Sequence, residues 1–572
     1  MAASMAACAG TPSSSSSQSP ESSASKEESE SSAEGSEASG SEAATPAGDP
    51  ITIAVFSMPS NTSGIQNNWY SNILKEKLNV EINLLPSGDQ GEQKLQALMA
   101  SGSLPDIVVF KEYSQVVNAV AGDMLLAYDD YKDLLPDLYA NAAKSLQYFA
   151  DNVSDGKGKA YSVGNAIKTQ LPPVGTLNWG PYLRYDIYKQ IGSPEINTYT
   201  DYLAVVKQMQ EVNPTNPDGK KVYGFSLWSD WDNHMAQNVT NIGNYNGVSY
   251  DESAELVELD IATGEMKSSL DEDSWYMKGL DFFFQANQMG LLDPDSMTQR
   301  FDDAIGKFSE GRVLFSPWNW ATGTFDSPEN HAQGMGFMAV EAKDAKILSQ
   351  QLAPIGKNWS TSVSSATKNP ELCMKLINYL ATYENAMTII NGPQGVTWDI
   401  NAEGKPELTE NGLDYILDAT KQLPGGGKFG DGASMLNAGL FDASNINPEF
   451  GEGLGYNLWS TYKEPEDKLR DEWRADYGVQ DQLELLRKMD AIAQDPFAPM
   501  PVIPDDMQVI AANVGNISKT LSWKMIYAKD QAEFDSLKAD LISQAKSAGM
   551  DDFYAWCVKA YDEAKAIGAK YE

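Results

Sequence analysis

The feature that most constrains this chain is the spacing of apolar runs between Ile51 and Phe110. ITIAVFS (Ile51 to Ser57) is almost continuously apolar, VEINLLP (Val80 to Pro86) alternates, and DIVVF (Asp106 to Phe110) is again apolar. Between them lie a helical stretch through Trp69 and Leu78 and a second one, EQKLQALMASGS, stopped by a Gly-Ser pair. Strand, helix, strand, helix, strand in short units predicts a parallel sheet with right-handed crossovers and strands buried on both faces.

A chain of 572 residues is longer than one core can serve, so at least two lobes are expected. The segment Thr11 to Gly48 has no aromatic or large aliphatic side chain and cannot bury anything. It reads as a disordered tether with a reach of roughly 35 Å. Ahead of it, Met5-Ala6-Ala7-Cys8 resembles the end of a bacterial lipobox, whose Cys is lipidated after cleavage. The basic and apolar regions of a secretory signal do not precede it, so the expectation is a start upstream of Met1; the alternative is a fortuitous Ala-rich N-terminus.

The formal net charge is −38. Residues 9–50 hold eight acids and one Lys, a net −7, which leaves −31 on the rest. That field repels nucleic acid and anionic membrane surfaces, and uronic acids at a distance. Three scattered Cys and two His make a disulfide framework, a His-based metal site or Ser-His-Asp chemistry poor fits. Cys373 and Cys557 lie on apolar helical faces and read as buried free thiols. In NPTNPDGKKVYGF (Asn213 to Phe225) a single Asp218 is followed by Lys220 and Lys221, so the segment reads as a polar turn without calcium.

The 13 Trp and 26 Tyr exceed what a core of this size needs and suit a carbohydrate-handling surface. In KFSEGRVLFSPWNWATG (Lys307 to Gly323) a helix ends, Gly311 stops it, and a short strand Val313 to Ser316 precedes Pro317. Trp318 and Trp320 point to the same side if that backbone is extended. They are then either core or a stacking platform for a sugar ring beyond the end of a strand. Trp228 and Trp231 share a face if SLWSDWD makes a helical turn, with Asp230 beside them.

The ordered series of blocks resembles the extracellular solute-binding proteins of ABC importers, family 1, which include the maltodextrin-binding proteins. ITIAVF, VEINLL and LMASGSLPDIVVF look like that family's first lobe, and GPYLRYDIYKQIG with TYTDYLAVVKQMQ like its crossover into the second. SWYMKGLDFFFQANQMGLLDPD followed by KFSEGRVLFSPWNW resembles its helix, turn and return strand. NPELCMKLINYLATYE and GPQGVTWDI match the large Gram-positive lipoprotein branch. The resemblance covers about 50–572 and implies a two-lobed periplasmic-binding-protein-like α/β fold of type II, helix-rich at its C-terminal end. Its expected parts are a tether over 1–49, lobe one over 50–175 and 317–366, and lobe two over 176–316 and 367–572. Hinge crossings are expected near Gly175 to Gly180, Phe315 to Pro317 and Ser364.

By the same resemblance, the segments of Trp228, Asp230 and Trp231 and of Trp318 and Trp320 correspond to sugar-contacting loops. Phe110, Glu112 and Tyr113 follow the third strand where relatives place an aromatic and a carboxylate, with Tyr113 standing in for the acid. Asn61 is a candidate donor, and Trp179, Trp398 and Trp459 are further candidates that fit a core equally well. The expected function is capture of an oligosaccharide by an extracytoplasmic, Gram-positive-like, monomeric lipoprotein anchored through Cys8, which hands its ligand to an ABC permease. No cofactor, metal or catalysis is implied. The alternatives are a surface glycoside hydrolase or polysaccharide lyase, which needs a carboxylate pair ~5–9.5 Å apart, and a non-transport adhesin.

Overall fold

A computed structural model describes residues 48–571 apart from 61, 87–90, 170–176, 252–253, 324, 352, 419–420 and 437–438. Cys8, most of the expected tether and Asn61 lie outside the described residues.

The three apolar runs form β1 (Ile51–Ser57), β3 (Val80–Pro86) and β4 (Ile107–Phe110), and β1 pairs in parallel with both of the others. The short β2 (Gly64–Ile65) edges β3, while β13 (Lys357–Val363) and β5 (Val163–Asn165) close the far side antiparallel. Alternate residues along a strand face opposite sides. Ile53, Val55, Ile107 and Val109 therefore enter one core, and Phe56, Val108 and Phe110 enter the core on the other face. Helix α1 (Trp69–Leu78) starts at Asn68, whose side chain accepts from the N–H of Tyr70 and Ser71 while Ser71 Oγ accepts from the Asn68 N–H. That reciprocal cap sets the first crossover.

The second lobe is built around β6 (Trp179–Arg184), which pairs antiparallel with β10 (Phe315–Trp318) on one side and β11 (Phe337–Ala339) on the other. Its core gathers Leu183, Phe225, Phe282, Phe315 and Phe337, together with Trp473, Leu521 and Phe553 from the C-terminal helices. A small antiparallel sheet of β7 (Val248–Tyr250), β8 (Val257–Asp260) and β9 (Met266–Ser268) stands beside it.

The cores divide the chain differently from the expected boundaries. Because β10 and β11 are the two partners of β6, Trp318, Phe337 and Ala339 belong to the second core. Helix Pro370–Leu380 packs Met374, Leu376 and Ile377 under the first sheet, and Trp398, Leu423 and Trp459 follow it there. The chain thus passes between cores after β5, between β12 (Ile347–Ser349) and β13, and between Tyr462 and Leu469. Neither Phe315 to Pro317 nor Ser364 is a crossing. Pro317 does not end β10 as expected: it sits at a register shift between Ser316 and Trp318, where the missing N–H is tolerated. Cys373 and Cys557 are free and buried, one in each lobe.

Candidate ligand-binding site

A cavity of about 670 Å³ separates the two cores. The first lobe contributes Tyr113, Asn165, Lys357 and Trp359, and the second contributes Trp179, Gln237, Asn244, Tyr250, Glu255 and Asp495. Its size lies within the usual range of ligand sites, and its wall mixes aromatic surface with hydroxyl, amide and carboxylate groups.

The wall is preorganised. Tyr113 Oη donates to the Lys357 carbonyl at 3.0 Å, which ties the start of helix α2 (Tyr113–Ala121) to β13. Asn244, at the end of helix Gln237–Asn244, is oriented so that its amide nitrogen donates to Val248 O at 3.0 Å and its oxygen accepts from Trp179 Nε1 at 3.2 Å. That fixes the indole of Trp179 on the cavity edge. The loop after β7 is held by Asp251, whose carboxylate accepts from the N–H of Ala254 at 2.8 Å and of Val257 at 2.7 Å. Burial raises the Asp251 carboxyl to about 6 against those bonds. Burial likewise pushes Asp495 and Glu255 to about 7. Among the described residues, the charged ones lining the cavity are three acids and one base, Lys357.

Trp228, Trp231, Trp318 and Trp320 come together, but in two layers. Trp228 is fully buried and Trp318 is 3% exposed, both within the second core. Trp231 and Trp320 lie over them, 40% and 43% exposed, with ring centres 5.8 Å apart and planes tilted by 31°. Phe301 stacks on Trp231 at 4.2 Å. None of the four lines the cavity itself. They adjoin it through the sheet, since Trp318 pairs with Trp179, a cavity residue.

The other expected site residues fall into three groups. Tyr113 and Trp179 line the cavity. Asp230 lies outside the cavity lining and meets the start of helix Phe301–Ser309: its Oδ1 accepts from the Phe301 N–H at 2.9 Å, and Arg300 stands 3.7 Å from its other oxygen. Phe110, Trp398 and Trp459 are core, because β4 is an interior strand and the two indoles are buried in contact, donating to the carbonyls of Gly392 and Gly453. Glu112 precedes α2 outside the cavity lining, and burial raises its carboxyl to about 7. Asn165, Glu255, Lys357, Trp359 and Asp495 were not singled out by sequence. Lys357 and Trp359 share β13, the other three come from three further segments, and no local pattern marks them.

In the segment Asn213 to Phe225, Asn216 Oδ1 accepts from the N–H of Asp218 and Lys220, and Lys220 pairs with Glu310 at 2.6 Å, so the polar turn is organised by protein groups. Among the described residues no cluster of three His, Cys, Asp or Glu side chains could hold a metal ion, and no helix is long and apolar enough to cross a membrane.

Two α/β lobes that face each other across a polar, aromatic-edged cavity define a solute-binding protein. The chain belongs to the bacterial extracellular solute-binding protein family, whose model matches residues 69–397. Solved structures share the fold at low identity. The alginate-binding protein AlgQ2 without calcium is 14% identical, with a TM-score of 0.61 over 90% of this chain and 98% of its own. The substrate-binding protein FusA of Streptococcus pneumoniae in complex with kestose is 16% identical, with a TM-score of 0.59 over 90% of this chain and 100% of its own. An HMO-binding, ABC-transporter-associated solute-binding protein from Bifidobacterium longum infantis is 16% identical, with a TM-score of 0.55 over 90% of this chain and 99% of its own. No curated protein matches the sequence.

Proposed function

We propose that this protein captures an oligosaccharide between its lobes and presents it, unaltered, to an ABC permease. The observation that carries this reading is the cavity between the cores, edged by Trp179 and Trp359 and lined with hydroxyl and amide groups. Indoles supply flat apolar faces for sugar rings, and short polar side chains accept and donate to hydroxyls. The exposed pair Trp231 and Trp320, next to the cavity through the Trp318–Trp179 pairing, extends the platform beyond one ring. The carbohydrate ligands named for FusA and for the Bifidobacterium protein favour the same class.

Binding is reversible, with the lobes closing on the ligand and the closed pair forming the face a permease recognises. The protein acts as a monomer on the extracytoplasmic face of a Gram-positive-like membrane. A lipid on Cys8 anchors it there, and the Ser/Glu-rich segment is the tether. The test is a titration of tryptophan fluorescence with neutral oligosaccharides, followed by assay of the recovered sugar for new reducing ends. Saturable binding with intact sugar is expected. Turnover would replace the transport reading with a hydrolase.

A further inference from the structure

Glu255 stands out among the cavity residues for what its neighbours do not provide. Its backbone is held at both ends: the N–H donates to Asp251 O at 2.9 Å, and the carbonyl accepts from Ser269 Oγ at 3.2 Å. Its φ of 60° lies in the left-handed region that non-glycine residues seldom adopt. Among the described residues its Oε2, shielded from water, has no hydrogen-bond partner, and the same is true of the hydroxyl of Tyr250, also on the cavity wall. A buried carboxylate oxygen and a buried phenol left without partners are unfavourable, and on a cavity wall they are groups that a ligand can complete.

We infer that Glu255 is the specificity-determining residue of the cleft: it accepts hydrogen bonds from the hydroxyls of an uncharged sugar ring, with Tyr250 beside it, and excludes uronate and sulfated glycans. This rests on the carbohydrate reading above. A carboxylate takes two hydroxyls of one ring and repels an anion in the same place. Asp251 and Asp495 reinforce the repulsion, and Lys357 on the facing lobe is the single base among the described charged lining residues. Opening of the lobes gives a sugar its route to Glu255.

The charged groups that bear on Glu255 come from several elements. They are Asp251 in its own loop, Lys111 and Glu112 from the other lobe, and Asp232 from the loop preceding helix Gln237–Asn244. Burial is the largest influence and raises the carboxyl to about 7; Asp251 adds to it, and Lys111 opposes it. A folded-state value above the unfolded one means that the ionised group is unfavourable, a penalty that grows from about pH 4.5 and is complete above about pH 7. Glu255→Gln removes that charge.

The experiment pairs wild type with Glu255→Gln. Calorimetric titrations use maltotetraose, nystose and mannotetraose as neutral probes and an alginate tetramer as the anionic one, and Tm is read at pH 5 and pH 8. Expected results are binding of a neutral probe but not of the alginate tetramer, affinity lowered about tenfold or more by Glu255→Gln, and a variant Tm raised at pH 8 but not at pH 5. Equal affinity of both proteins for the neutral probe overturns the role of Glu255 and leaves the carbohydrate reading standing. So does tight binding of the alginate tetramer by wild type. A variant Tm lowered at both pH values makes the carboxylate structural and also overturns the proposal. If no saccharide binds wild type, the carbohydrate reading falls and this inference falls with it.

Discussion

The phenol of Tyr571 donates to Asp151 Oδ2 at 2.7 Å. Asp151 lies in the last turn of helix Ala143–Asn152 of the first lobe, whereas Tyr571 ends the C-terminal helix Met550–Tyr571, whose Phe553 and Cys557 are in the core of the second. The Tyr571 ring also meets Tyr148 edge-on at 5.4 Å, Lys144 Nζ donates to its carbonyl at 3.0 Å, and Lys570 pairs with Asp151. One helix therefore straps the two lobes together. Lys570 and Tyr571 hold the Asp151 carboxyl below its usual range, the Lys570 hydrogen bond being the main cause.

Tyr571→Ala empties an almost fully buried site, with an expected destabilisation of roughly 3 kcal/mol. It also frees the lobes to open further, which small-angle scattering of the unliganded protein reads as a larger radius of gyration. Asp151→Asn keeps an acceptor for the phenol and loses an exposed ion pair worth less than about 1 kcal/mol. An unchanged radius in Tyr571→Ala would show that the strap does not restrain the lobes.

The two-layer arrangement of the indoles separates their substitutions. Trp318 is core, so Trp318→Ala is expected to lower stability by roughly 3–5 kcal/mol. Trp320 is exposed, so Trp320→Ala is expected to leave Tm nearly unchanged and weaken oligosaccharide binding by ~1–3 kcal/mol. Thermal melts and fluorescence titrations of both variants check this, and an affinity unmoved by Trp320→Ala removes the outer pair from the site.

The two histidines give the stability–pH curve opposite slopes at its ends. His331 lies 2.7 Å from Asp467 and 3.4 Å from Asp326, joining helix Pro328–Ala332 to helix Lys468–Tyr477. Burial disfavours its imidazolium, but the two carboxylates outweigh that and raise it to about 9. This stabilisation is whole below about pH 6.5 and is lost as pH rises toward 9, an effect of up to roughly 3 kcal/mol. His234 is half-buried, and its desolvation, with Lys519 adding, lowers it to about 4, so its contribution is present above about pH 6.5 and disappears on acidification. Denaturant melts from pH 5 to 9.5 should lose the alkaline slope in His331→Gln. A slope retained in that variant assigns it elsewhere.

How far the molecule was legible in its sequence follows from the range of the forces involved. The strands at Ile51, Val80 and Ile107 were marked by local apolar patterning, which a buried parallel sheet imposes directly. The allocation of Pro370–Leu380 and of β11 to their lobes depends on which core they reach across the chain, and no local signal records that. Trp318 and Trp320 were expected on one side of an extended strand. The register shift at Pro317 and the helical turn Trp320–Thr322 put one ring inside and the other outside, although the centres remain 5.4 Å apart. Phe110 follows the same logic, since flanking by β1 and β13 makes its strand interior. Glu255 lies in an ordinary-looking acidic loop, and its distinction arises only from the fold.

The central claim is that a solute is gripped between two moving lobes and released unchanged. Small-angle scattering of the protein, with and without saturating amounts of the neutral oligosaccharide that quenches its tryptophan fluorescence, tests this most directly. The account predicts a smaller radius of gyration with ligand and recovery of intact sugar. Superimposable scattering curves at saturation would contradict it.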